Sequence, residues 1–164
     1  MKHLNQFITE YIVKKKLDKA IDSEDHYKYS PISKAQLINN INECIDLGEY
    51  NLNVINVSNI KDMSKLFRSV NLNKIKRGSK LDISKWDVSN IEEMDCMFKA
   101  CKNFDADLSS WNVSNVTSMI EMFYFCKKFT GKGVENWDVS KVKNKMDMFW
   151  YCLNLKNVPA WAKE

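Results

Sequence analysis

Five cysteines, two histidines and a scatter of carboxylates are the side chains of this 164-residue chain best able to do covalent, metal or acid–base chemistry. A thiol nucleophile needs a base beside it, and zinc needs four clustered nitrogen or sulfur ligands. Cys44, Cys96, Cys101, Cys126 and Cys152 form no CxxC pair, and His3 and His26 lie far from them in sequence. Asp105, Asp107 and Glu121 fit a solvated surface better than an acid–base pair. There is no Gly-rich phosphate loop, and no Ser/His/Asp set can be assembled. The expectation is a protein that is not an enzyme, with no catalytic residue, no metal and no cofactor. The odd cysteine count and an N-terminus without a signal-peptide pattern point to free thiols in a reducing, intracellular setting.

Charge gives the next candidate. Residues 1–50 hold 7 Lys/Arg and 8 Asp/Glu, whereas residues 51–164 hold 18 and 13. The densest basic stretch, Lys74, Lys76, Arg77 and Lys80, is a possible basic patch or simply a solvated loop. No aromatic residue interleaves with it, so a stacking platform for single-stranded nucleic acid is not expected there. No apolar run reaches eighteen residues, so no membrane span is expected.

A repeated pattern must position everything else. WDVSNIEEMDCMFKAC starts at Trp86, WNVSNVTSMIEMFYFC at Trp111 and WDVSKVKNKMDMFWYC at Trp137, 25 and 26 residues apart. INVSNIKDMSKLF from Ile55 is a fourth copy, 31 residues earlier. Within each unit Trp-x-Val alternates like a short strand. The next residues, such as Ser114 and Asn115, suit a turn or a helix N-cap, and Ser89 with Glu92 fits a capping box. Val116, Met119, Met122, Phe123 and Cys126 then have helical spacing. One unit cannot bury its apolar face alone, but stacked units can. The expected buried ladder comprises Trp86, Trp111 and Trp137; Met97, Met122 and Met148; Phe98, Phe123 and Phe149; and Cys101, Cys126 and Cys152. Helical packing accounts for the methionines without a metal or redox box. The sequons at Asn56, Asn112 and Asn115 come from the repeated VSN turn and read as structural caps.

The pattern WDVSN-four residues-M-two residues-MF-two residues-C, over roughly residues 36–155, resembles the BspA-like surface-protein repeat, a leucine-rich-repeat-like module. That resemblance implies an α/β fold: a short solenoid with one strand and one helix per repeat that binds other macromolecules. The four-repeat solenoid would span residues 51–155. Residues 33–50, with Leu37, Ile38, Ile41, Cys44 and Ile45 on one face, Ser33 before it and Gly48 after it, read as an N-terminal capping helix. Residues 156–164, with Pro159 and Trp161, read as a C-terminal cap.

Residues 1–21 form a separate amphipathic segment, joined by a polar linker at 22–32. Leu4, Phe7, Ile8, Tyr11 and Ile12 make a helical stripe that would fold back on the solenoid or self-associate, dock in a protein partner or lie on a membrane surface. Met1, Lys2, Phe7, Ile8 and Glu10 are similar to the targeting peptides of bacteriophage internal head proteins, which would imply a virion component carried to a capsid. The leading expectation is a non-enzymatic protein–protein interaction module with an N-terminal docking helix. The phage cargo protein is the alternative.

Overall fold

The computed structural model describes residues 27–76 and 78–163. Helix α1, Lys34–Asp46, is the only α-helix among them. The Ser33 side chain accepts from the Gln36 N–H, and the chain leaves the helix through Gly48 at φ +75°. Leu37, Ile41, Cys44 and Ile45 are buried, and α1 packs on two short 3₁₀ turns, Leu66–Arg68 and Leu72–Lys74. Just before α1, Tyr29 pairs with Ile55, which fastens the end of the expected linker to the body.

The expected α/β arrangement, one strand and one helix per unit, is absent from the described residues. Pairing is confined to isolated parallel bridges, including Asp62 with Glu93, Glu93 with Ser118, and Ser118 with Asn144. The Trp-x-Val stretch stays short because the side chain of its middle residue folds onto the backbone just after it. The Asn56, Asp87, Asn112 and Asp138 side chains each accept from the N–H two residues on, at 3.0, 3.1, 3.1 and 3.0 Å. These Asx turns replace the expected Ser caps, and the Glu92 N–H donates to Lys61 of the preceding segment instead of joining a capping box with Ser89.

The expected helix is replaced by tight turns with two alternating kinds of hydrogen bond. Cys96, Phe98 and Ala100 donate sideways to the carbonyls of Ile120, Met122 and Tyr124, at 2.8, 2.9 and 2.8 Å. Met97, Lys99 and Cys101, between and after them, donate three residues back, to Met94, Cys96 and Phe98. Glu121, Phe123 and Phe125 repeat the sideways pattern onto Met146, Met148 and Trp150. A helix is interrupted because Cys96 and Ala100, Glu121 and Phe125, and Asp147 and Tyr151 all have positive φ. Left-handed geometry costs roughly 1–2 kcal/mol per non-glycine residue. Sideways hydrogen bonds and a shared core offset that cost.

The core runs continuously through the segments. Trp86, Trp111 and Trp137 are buried, as are Met97, Met122, Met148, Phe98, Phe123, Cys101, Cys126 and Cys152, while Phe149 is half-buried. Stacked rings link Phe67, Phe98, Phe123 and Phe149 at centroid separations of 5.0, 5.4 and 5.6 Å. Each indole N–H reaches back one segment: Trp86 to the Leu52 carbonyl at 2.9 Å, Trp111 to Ile83 at 3.1 Å and Trp137 to Leu108 at 3.4 Å. Those carbonyls also accept the backbone N–H of Ile55, Trp86 and Trp111, which uses both lone pairs. Trp161 extends the column, donating to Val134 at 3.0 Å and stacking on Trp137. Gly133 lets two neighbouring segments meet, since a Cβ there would lie 2.2 Å from the Ser109 nitrogen.

Candidate functional site

A groove of about 570 Å³ opens where the basic loop crosses the ends of these segments. Buried Phe67, Cys101 and Phe104 line its apolar part. Lys76 and Lys80 enter from the loop, and Lys102 and Lys128 from successive segments. The last two are 26 residues apart, and the Lys128 N–H donates to the Lys102 carbonyl at 3.2 Å. Asn154 takes the equivalent place one segment further on and also lines the groove.

The expected basic cluster is therefore divided. Lys74 turns away and pairs with Asp46 at 2.6 Å. Lys80 lies 3.4 Å from Asp105, whose other oxygen accepts from the Thr130 N–H and hydroxyl. Lys76 and Lys80 remain at the groove, and Arg77 lies outside the described residues. Lys76, Lys102 and Lys128 have no carboxylate within ion-pair distance among the described residues. The groove thus carries an uncompensated positive field over an apolar floor. Its two segment lysines were missed by looking for consecutive basic residues. Lysines recurring just after the repeated cysteine, Lys102 after Cys101 and Lys127 and Lys128 after Cys126, were the available signal.

The thiols sit in a different environment. Burial raises Cys101 to about 12 and Cys152 to about 11, and it is also the main cause raising Cys126. Cys126 donates to the Phe98 carbonyl at 2.9 Å and Cys152 to Phe123 at 3.0 Å. Such thiols stay protonated at neutral pH, whereas a reactive cysteine needs thiolate character. All five cysteines are free. No group of three or more potential metal ligands gathers among the described residues.

The sequons have structural partners. Asn56 and Asn112 form the Asx turns, and the Asn115 amide donates to the Ser89 carbonyl at 2.8 Å. Leu4, Phe7, Ile8, Tyr11 and Ile12 lie outside the described residues. No helix among the described residues is long and apolar enough to cross a membrane.

Turn-built segments joined side by side, with a cationic groove across their ends, define the structural class. The chain belongs to the family described as Mycoplasma protein of unknown function, DUF285, which matches residues 35–161. No curated protein and no solved structure matches it.

Proposed function

We propose that the chain is a non-enzymatic protein-interaction module in which the groove receives an acidic protein surface and residues 1–21 supply a second, helical contact. One observation carries this reading: Lys76, Lys102 and Lys128 stand without ion-pair partners over the apolar floor of Phe67 and Phe104. Apolar contact supplies affinity, and surplus charge selects partners and speeds their encounter. The resemblance of the sequence pattern to the BspA-like repeat supports a role in binding macromolecules.

Photo-crosslinking from Asn103 in the full-length protein tests the reading. It should capture a protein, and Lys102→Glu with Lys128→Glu should abolish capture while the fold persists. Phe7→Ala with Ile8→Ala should weaken capture without moving the crosslinked position. If the wild type turns over a small molecule, and one substitution abolishes turnover with binding intact, the chain is an enzyme and the proposal is wrong.

A further inference from the structure

The two ends of the stack differ in hydrogen-bond polarity. Within the turn stretch of each segment, at residues 96–100 and 121–125, the sideways N–H groups all donate toward the C-terminal end, whereas around the bridges donation runs both ways, as from Thr117 back to Glu92 and from Met119 forward to Asn144. At the N-terminal end the Ser64 carbonyl, equivalent to the acceptors at Asp95 and Ile120, is taken by the Lys34 ammonium of α1 at 3.2 Å. The same ammonium meets Asp62 at 2.6 Å and the Ser64 hydroxyl at 3.1 Å. One carbonyl of the acceptor edge is therefore taken by a cation, and α1 packs against Leu66–Arg68, which carries the next two.

Among the described residues the donor edge is open. Asp147, Phe149 and Tyr151 are equivalent to Glu121, Phe123 and Phe125, whose N–H groups donate to the next segment at 2.9, 2.9 and 2.7 Å. Among the described residues, the N–H groups of Asp147, Phe149 and Tyr151 have no acceptor. Beside them Met146, Trp150, Tyr151 and Leu153 are 61%, 58%, 48% and 62% exposed. From 138 to 163 the sequence holds five lysines against Asp138 and Asp147.

We propose that this edge is a second interaction surface, taking an extended, acidic polypeptide segment of a partner laid parallel to residues 145–153. Carbonyls at alternate positions of that segment receive the three N–H groups, as in strand addition. Its apolar side chains cover Met146, Trp150 and Leu153, and its carboxylates answer the surrounding lysines. A second copy fits poorly. Its acceptor edge is under α1, and two donor edges face to face bring N–H against N–H. The inference rests on the reading of the chain as an interaction module but concerns a surface other than the groove.

The test is a titration of the full-length protein, ¹⁵N-labelled, with a synthetic peptide of residues 87–101, DVSNIEEMDCMFKAC, carrying Cys96→Ser and Cys101→Ser. That peptide is net −3 and has the sequence pattern of a natural neighbour. Saturable binding should slow amide exchange at Asp147, Phe149 and Tyr151 by about tenfold or more. Trp150→Ala with Leu153→Glu, both at exposed positions, should weaken binding by about tenfold or more. Lys102→Glu with Lys128→Glu should leave binding within about twofold, since additivity holds for separate sites. Absence of saturable binding overturns the inference, as does protection confined to the groove. If the three amides are already protected in the free protein and sedimentation shows a dimer, the edge belongs to a second copy and the inference is also wrong. A failed groove crosslink with intact peptide binding would count against the groove alone.

Discussion

The segments at residues 111–126 and 137–152 have nearly the same pattern but different environments. Phe123 and Cys126 are fully buried, with a segment on either side. Phe149 is half-buried and Cys152 retains 9% exposure, because among the described residues no equivalent segment covers them. Val113 is buried and Val139 only partly so. Equal residues in equal local turns thus contribute unequally. The difference lies in the neighbour that each segment has or lacks.

The sharpest test removes a ring from each segment. Phe123→Ala should cost about 3–5 kcal/mol in urea unfolding, the range for a buried Phe→Ala cavity. Phe149→Ala should cost about half as much, since burial free energy scales with the apolar area removed from water. Equal costs would show that the last segment is as well covered as its neighbour.

Next is the junction between them. Gly133 has φ +92° and no room for a Cβ against Ser109. Gly133→Ala should cost about 2–4 kcal/mol, combining left-handed strain with overpacking. A neutral change would mean that the segments can separate there without loss.

The thiols supply a pH-dependent test. An unfolded cysteine titrates near 9, whereas burial raises Cys101 to about 12 and Cys152 to about 11. The folded state therefore holds more protons between these values. Stability from these thiols is complete below pH 9 and lost as pH rises toward 11–12. Urea midpoints at pH 8 and pH 10.5 should show the fall, and Cys101→Ala with Cys126→Ala should reduce it. In native protein Cys152 should alkylate before Cys126; the reverse order would invert the comparison.

The smallest effect should come from one Asx turn. Asn112→Ala removes the acceptor for the Ser114 N–H, which should cost about 0.5–1.5 kcal/mol by thermal melting. A larger loss would give this turn a share of the packing now assigned to Trp111 and Val113.

Legibility followed the range of the interactions. Helix α1 could be read from Ser33, Gly48 and one apolar stripe, because caps and helical periodicity are local. The repeated Trp, Met, Phe and Cys positions were visible as a period. The helix expected within each unit was wrong because turns closed by bonds three residues back also place Met94, Met97, Phe98 and Cys101 at spacings of three and four. Periodicity alone does not separate those turns from a helix. The left-handed residues do, and Cys96, Glu121 and Phe125 are not residue types that announce positive φ. In the groove, Lys76 and Lys80 were identifiable as neighbours in sequence, but Lys102 and Lys128 join them only through the stacking.

By itself, then, the sequence determined which residues would be apolar at regular intervals, where α1 begins and ends, and that the chain has surplus lysine. Composition, capping and short-range spacing suffice for those. Tertiary structure decided that alternate N–H groups go sideways and that, among the described residues, Lys34 takes a carbonyl at one end of the stack while three N–H groups at the other have no acceptor. It also decided which lysines share a groove. The physical reason is that a backbone N–H chooses between a carbonyl three residues back and one about 25 residues away, and only the packed neighbour puts the distant carbonyl within reach.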